Sequence, residues 1–484
     1  MRMAASAFAI ALSAASAALP GEGGAPPTGV LVEDSLMYSD SVCRHYYYAL
    51  PEGYAPDTPA PLLVWLHGGV STEELADYGP EVLTDRYPIP QLMDMGFILA
   101  LPCGQAGATW WDPVGQEGIL EIVASLKSDL SIDDSRVLAG GFSDGASGSL
   151  GLMMLSPSPF AGYLAFSGHP GVAAIDGGRA TYLTSLSNRP GIASHTDLDG
   201  LYPASEMAPA MELARSAGAS IEYYTLDGYG HDAGYLPLLE EEVLAFADSV
   251  RRERFPRRIS WRAGEPSGCD WLRVDSVVPW PVLTTDSDNN MVMVSERISI
   301  GFIPDWEAEG CIPVVGVPEG DSPANRAGLL PGDTLVSFNG APLGGLDDLS
   351  ELKGEMEPGD PFTMEVVRDG ASVMLDGRLN PPEHYWLFSR RGPSVTVQAE
   401  REGNRFRLQV NRLCTVTLLL HPEMVDLDGE IAVSCNGHRV FTGQVEETPG
   451  MADSLLEATG DCERLYTAKL RLDLEELLMP LMAD

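Results

Sequence analysis

Between residues 35 and 255, short continuous apolar runs alternate with helix-like stretches, and this alternation constrains the fold more than any other feature. The runs are Leu62–Leu66, Phe97–Leu101, Val137–Ala139, Tyr163–Phe166, Gly191–Ser194 and Ile221–Leu226. They lack the in–out pattern of a strand with one wet face. Strands buried on both faces belong to a parallel sheet covered by helices. Gly118–Leu130 and Ala204–Ala217 supply such helices, Glu240–Arg252 reads as a closing one, and the basic stretch ending at Pro256 marks a boundary. The expected class is therefore α/β, a doubly wound, mostly parallel sheet over residues 35–255.

Within this frame, Gly141-Phe142-Ser143-Asp144-Gly145 follows the run Val137–Ala139 directly and leads into a small-residue-rich helix. So tight a strand-to-helix turn holds its central residue at strained backbone angles and lifts the side chain clear of the sheet. Glycines at 141 and 145 leave room for the crossing chains, which makes Ser143 the candidate nucleophile. A serine hydroxyl needs a base. Among the histidines, His231 in "GYGHDAG" follows the last apolar run, where a base loop belongs. The acid belongs one strand earlier, in "SHTDLDGLYP", which offers Asp197 and Asp199. Serine, then acid, then histidine is the chain order of one hydrolase class. Trp110 and Trp111 follow the strand ending near Leu101, on the same sheet edge, and are candidates for an aromatic pocket wall. Burial in the core is the competing reading for both.

Four segments taken together, "LLVWLHGG", "SIDDSRVLAGGFSDGA", "SHTDLDGLYP" and "GYGHD", resemble exported esterases of the α/β-hydrolase superfamily. Feruloyl esterases, polyhydroxybutyrate depolymerases and dienelactone-hydrolase-like proteins belong to this group. The third segment resembles the family pattern H-G-x-x-D-x-x-V-P, which implies Asp199 as the acid. Thr196 and Tyr202 depart from that pattern, so Asp197 stays open as the alternative. The resemblance implies an oxyanion hole built from the N–H groups of Gly69 and Asp144, with His67 orienting the turn. It implies a serine carboxylic-ester hydrolase that works through an acyl-enzyme on a small-molecule or polymeric ester, without metal or organic cofactor. The stretch between Phe166 and Gly191 is too short for a bulky lid, so an open site is expected.

After Pro256 the texture changes to alternating strands, with Asn436-Gly437 as a hairpin signal. A different unit interrupts them at 297–380. Its pieces, "ISIGFI", "SPANRAGLLPGDTLVSFNG" and "LDDLSELKGEMEPGD", resemble a PDZ domain of the bacterial envelope-protease type. The resemblance implies that Ile300, Gly301 and Phe302 form a loop receiving the C-terminus of a protein partner, beside a helix Leu346–Glu355. Residues 256–296 and 381–484 then read as one accessory β-domain carrying the PDZ unit as an insertion. Two other functional readings stay open. One is a serine peptidase of prolyl-oligopeptidase type, since PDZ domains often accompany proteolysis. The other is a non-catalytic, peptide-binding envelope protein.

The chain has 70 acidic and 30 basic residues, a formal charge of −40. Such a surface repels nucleic acid and anionic lipid, which excludes both as partners. Residues 1–17 place Arg2 before an alanine-rich apolar run ending in Ala15-Ser16-Ala17, the pattern of a cleaved signal peptide. A flexible leader at 18–34 follows. No later stretch has the length and apolarity of a membrane span. A secreted or periplasmic protein is expected. Export permits disulfides among the seven cysteines, and Cys414 with Cys435 is one available pairing.

Overall fold

The computed structural model describes residues 28–278, 289–305, 308, 310–389, 393–412 and 414–479. The expected signal peptide at 1–17 and leader residues 18–27 lie outside the described residues. The first unit is built on β1 (Leu31–Met37), β2 (Cys43–Ala49), β3 (Ala60–Leu66), β4 (Ile98–Pro102), β5 (Ile132–Phe142), β6 (Gly162–Phe166), β7 (Gly191–Thr196) and β8 (Ile221–Leu226). They form an 8-stranded sheet in the order β1-β2-β4-β3-β5-β6-β7-β8. β1 and β2 run antiparallel, whereas β4 to β8 and β3 are parallel to one another. Every residue of β4, β6 and β7 is buried, as their unbroken apolar runs require. Two clusters of buried side chains, one on each face, sandwich the sheet. The helices Pro113–Asp129, Asp144–Leu155, Ala204–Ser216 and Glu240–Ser249 cover it. This is the α/β-hydrolase architecture, in which ligands are met at the carboxyl ends of the parallel strands.

Beyond Pro256 the chain lays down β9 (Arg258–Ala263), β10 (Ser267–Cys269) and β11 (Leu272–Val277). After the undescribed stretch it runs through β12 (Val292–Ser295) into the PDZ unit: β13 (Ile303–Pro304), β14 (Ile312–Gly316), β15 (Thr334–Phe338), β16 (Ala341–Pro342), β17 (Pro361–Arg368) and β18 (Ala371–Arg378). The helix Leu346–Gly354 lies in this unit, which has its own small core around Leu335, Phe338 and Phe362. The chain returns through β19 (Glu383–Trp386) and finishes with β20 (Val395–Glu402), β21 (Arg405–Val410), β22 (Cys414–Leu420), β23 (Ile431–Cys435), β24 (His438–Gly443) and β25 (Ala468–Asp473). β9 joins the sheet β24-β23-β21-β20-β9, and β10 and β11 join β10-β11-β22-β25. One core centred on Trp261, Trp271 and Phe406 fills the space between the two sheets. Asn436 and Gly437, both at positive φ, make the two-residue turn between β23 and β24. All seven cysteines, Cys414 and Cys435 included, are free thiols.

One element departs from the single accessory β-domain read in the sequence. β12 and β19 belong to neither sheet; they pair with each other as a two-stranded ribbon. Met293 of the ribbon and the adjoining Leu387 and Phe388 are buried in the hydrolase core, in one cluster with Leu150 and Trp110. The ribbon is the stalk of the PDZ unit, and it is plugged into the hydrolase. The β-sandwich is fixed to the hydrolase separately, by buried ion pairs. Asp461 meets Arg252 at 2.7 Å and Lys127 at 2.9 Å, while Arg189 meets Asp270 at 2.6 Å. No helix among the described residues is long and apolar enough to cross a membrane.

Candidate active site

Ser143 stands between the C-terminus of β5 and the helix Asp144–Leu155, at φ 59° and ψ −120°. A non-glycine residue rarely adopts this backbone. Close packing enforces it. A Cβ at Gly145 would overlap the carbonyl of Leu66 at the end of β3, and one at Gly141 would strike the backbone of Gly145. The two glycines therefore let β3, β5 and the helix start cross within contact distance, and the serine side chain is left to project from the crossing. The Ser143 N–H is held by Phe166 O at 2.9 Å.

The loop after β8 brings His231 Nε2 to 2.8 Å from Ser143 Oγ. Asp199, in the loop after β7, places Oδ2 2.8 Å from His231 Nδ1. A carboxylate only accepts, so Nδ1 carries the proton and Nε2 is free to accept the serine hydroxyl. The other oxygen, Asp199 Oδ1, accepts the N–H groups of Leu201 and Tyr202, each at 2.8 Å. Burial works to raise the Asp199 carboxyl, but the bond to His231 and these backbone donors outweigh it and hold it below the ordinary range. Asp197 is elsewhere: its Oδ1 accepts from Gly228 N at 2.6 Å on the exposed side of the loop. The structure thus brings Ser143, His231 and Asp199 together and leaves Asp197 out.

Gly69 sits at φ +66°, with no neighbour that would meet a Cβ; backbone conformation, not space, calls for glycine there. Gly68 lies closest to the serine, since a Cβ on it would stand 3.2 Å from Ser143 Cβ. The Asp144 N–H is among the first-turn donors that a helix leaves free. Its side chain has a task that sequence reasoning missed: Oδ2 accepts from Val70 N at 3.0 Å, tying the His67–Val70 turn to the serine turn. His67 is engaged with backbone. Its Nε2 accepts from Gly104 N at 3.0 Å and its Nδ1 meets Gly68 O at 2.7 Å.

The tryptophans are a correction to the pocket expected in the sequence. Trp110 is 1% exposed and Trp111 5%, so neither forms an open wall. Trp110 donates from Nε1 to His67 O at 2.8 Å and packs edge-on against the His67 ring. It props the glycine turn from beneath. A buried indole N–H needs an acceptor, and the main-chain carbonyl of His67 is the one in reach.

Sequence reasoning also missed a polar chain on the ribbon side of the site. His169, in the loop after β6, accepts at Nδ1 from Gly171 N at 2.9 Å, so its proton sits on Nε2 and is donated to Tyr385 Oη at 2.8 Å. Tyr385, from β19, donates in turn to Glu206 Oε1 at 2.6 Å. Burial lowers the His169 pKa to about 4 and raises that of Glu206. Tyr202 packs between His169 and His231, with ring centroids 5.8 Å from each. No local pattern around Tyr385 or His169 announces these contacts.

In the PDZ unit, Ile300 is 3% exposed with its side chain in the PDZ core. Gly301 is at φ +83°, against Ser322, and Phe302 is half-buried.

A mostly parallel sheet, a strained serine turn and a hydrogen-bonded Ser–His–Asp set define a protein with an α/β-hydrolase domain. Residues 117–237 match the phospholipase/carboxylesterase family, and residues 297–379 match the PDZ domain family. The chain therefore carries a carboxylesterase-family hydrolase domain and a PDZ domain. A probable periplasmic serine endoprotease, DegP-like, of Ectopseudomonas mendocina is 36% identical over 94 residues, 19% of this chain and 19% of that protein. The chain thus spans less than two thirds of that relative's length. Similar solved structures include a ferulic acid esterase, at 17% identity, TM-score 0.37, 45% of this chain and 97% of that one. Another is an S-formylglutathione hydrolase from Agrobacterium tumefaciens, at 14% identity, TM-score 0.36, 45% of this chain and 94% of that one.

Proposed function

We propose that the protein is an exported serine hydrolase of carboxylic esters, acting through an acyl-enzyme. The bonding of Ser143 to His231 and of His231 to Asp199, at a strained turn, carries this reading. Ser143 Oγ attacks the acyl carbon as its proton passes to His231 Nε2. Asp199 holds the imidazole in the tautomer that can accept and stabilises the imidazolium that forms. The N–H groups of Gly69 and Asp144 receive the developing oxyanion. His231 then gives its proton to the leaving alkoxide, which departs as the alcohol. Water, deprotonated by the same imidazole, attacks the acyl-enzyme and releases the carboxylic acid. Donors preorganised for an oxyanion are worth about 3 kcal/mol each.

The family match of residues 117–237 favours an ester over a peptide bond. Export rests on the pattern of residues 1–17, with the periplasmic label of the DegP-like relatives as further support. In this reading the PDZ domain receives a protein C-terminus at Ile300, Gly301 and Phe302. A panel of p-nitrophenyl acyl esters, feruloyl esters and chromogenic peptide amides tests the assignment. Turnover of esters with amides untouched is expected; preferential cleavage of amides would make the protein a peptidase.

A further inference from the structure

The imidazole of His231 is bonded at both ring nitrogens, to Asp199 and to Ser143. Those bonds lie in the ring plane, so tilt out of the plane has to be limited by packing. Two rings lie against it: Phe142, with centroids 5.1 Å apart, and Tyr202, at 5.8 Å. Phe142 belongs to β5. Tyr202 stands in the acid loop, where its N–H is held by Asp199 but its ring needs a support of its own. His169 is that support, with its ring centroid 5.8 Å from that of Tyr202.

His169 is buried, and its ties come from two parts of the chain. Its N–H donates to Ser147 Oγ at 2.9 Å and its Nδ1 accepts from Gly171 N at 2.9 Å, both within the hydrolase. The remaining tie comes from β19. His169 Nε2 donates to Tyr385 Oη at 2.8 Å, and Tyr385 donates to Glu206 Oε1 at 2.6 Å. The donors run in one direction and end on a carboxylate, which only accepts. Glu206 lies in the first turn of the helix that follows the acid loop, with its N–H on Pro203 O. The Tyr385 hydroxyl therefore bridges the residue that backs Tyr202 and the helix that begins just after it. The loop after β6 is shaped to receive the ribbon: a Cβ on Gly171 would strike the carbonyl of Leu387, two residues beyond Tyr385.

We infer that Tyr385 is a positioning residue of the active site. Its hydroxyl clamps His169 to Glu206, the clamp holds the Tyr202 ring, and that ring keeps His231 aligned between Asp199 and Ser143. The role, which rests on the serine-hydrolase reading above, is built into the fold and calls for no ligand. It makes the hydrolase site incomplete without β19. Tyr385→Phe keeps the ring and removes the bridge. The buried Nε2–H of His169 then loses its acceptor and Glu206 its donor, and the Tyr202 ring gains freedom. Tyr385 acts on the proton transfer through other side chains, so its loss falls on kcat and leaves KM in place.

The test uses the full chain, with p-nitrophenyl acetate for turnover and a thermal melt for the fold. Tyr385→Phe is expected to lower kcat about ten-fold at unchanged KM, since a small misplacement of a reacting group is costly. Labelling of Ser143 by a fluorophosphonate should slow in the same proportion, because it needs the same base. In the proton spectrum, the signal of the His231 Nδ1–H that bonds Asp199, assigned by its loss in His231→Ala, should broaden. Tyr202→Ala should lower kcat by itself, and the double variant with Tyr385→Phe should fall little further, because both cut one path. Glu206→Gln, which keeps an oxygen for Tyr385 Oη, should retain more of kcat than Glu206→Ala. Trp386→Ala, on the exposed face of the ribbon, should leave kcat in place. Folded Tyr385→Phe with parental kcat or an unchanged His231 signal overturns the proposal. So do losses that add in full with Tyr202→Ala, or an equal loss from Trp386→Ala. Failure of the serine-hydrolase reading itself shows separately, as ester turnover that survives Ser143→Ala.

Discussion

Asp199→Asn separates a positioned acid from a merely buried one. Oδ1 of Asp199 accepts two backbone N–H groups at 2.8 Å, and Oδ2 faces His231 Nδ1 at 2.8 Å. An asparagine in this place has one oxygen and one NH2. Turning the NH2 toward Leu201 and Tyr202 would set donors against two N–H donors, stranding buried groups at about 1–3 kcal/mol each. The amide oxygen therefore stays with the backbone, and the NH2 faces Nδ1. His231 must then accept at Nδ1 and carry its proton on Nε2, pointing at Ser143 Oγ. In that tautomer it cannot take the serine proton. The expected loss is on the order of 10⁴ in kcat, about 5.4 kcal/mol of barrier, with the fold intact because the side chains are nearly isosteric. Steady-state hydrolysis of p-nitrophenyl acetate, beside a thermal melt, measures both. Asp197→Asn should stay within about two-fold of the parent, since its carboxylate accepts from Gly228 N on the exposed side of the loop, away from His231. Retention of more than a tenth of the activity by Asp199→Asn, or a larger loss from Asp197→Asn, would refute the reasoning.

Trp110→Phe removes the Nε1 donor to the buried His67 carbonyl; chemical denaturation should show a loss of about 1–3 kcal/mol. Gly145→Ala drives a Cβ into the Leu66 carbonyl and should cost about 3 kcal/mol or more, read as a lower melting temperature or loss of folded protein. Asp461 and Asp199 both have carboxyl pKa values lowered in the folded state, so their contribution to stability is present above about pH 4 and is lost as pH falls through the folded values. A denaturation series should already decline below about pH 6.5, because burial lowers His169 and His195 to about 4 and the unfolded chain takes up their protons first, and should drop further below about 4, with Asp461→Asn losing about 3–5 kcal/mol at pH 7 because Arg252 and Lys127 stay buried beside it. Excising 297–380 with a Gly/Ser linker keeps β12, β19 and the Met293 plug and should preserve basal ester hydrolysis. Extending the excision to 289–389 strips Met293, Tyr385 and Leu387 from the hydrolase and should lower its melting temperature sharply.

What the sequence disclosed follows the range of the forces involved. The apolar runs at Leu62–Leu66 and Tyr163–Phe166 announced buried strands because burial on both faces leaves a local mark. The glycines around Ser143 were legible because a tight crossing excludes every other residue at 141 and 145. Asp197 and Asp199 were separable only through the family pattern, since spacing alone gave both the right loop. The structure sets them apart by which side of the loop each carboxylate takes. The tryptophans misled because position on a sheet edge says nothing of orientation; the His67 carbonyl draws Trp110 inward. The ribbon was hidden for a different reason. "MVMVS" and "EHYW" look like any short strands, and their attachment to the hydrolase depends on tertiary contacts far apart in sequence. Tyr385 meets His169 and Glu206 only when the PDZ stalk folds back.

The central claim is that Ser143 is the activated nucleophile of a serine hydrolase. The most direct measurement is intact-protein and peptide mass spectrometry after incubation with a fluorophosphonate probe at neutral pH. The account predicts a single adduct, mapped to Ser143, which is abolished by Ser143→Ala and strongly slowed by His231→Ala, with both variants still folded. An adduct on another residue, or labelling that persists in folded Ser143→Ala, would contradict it.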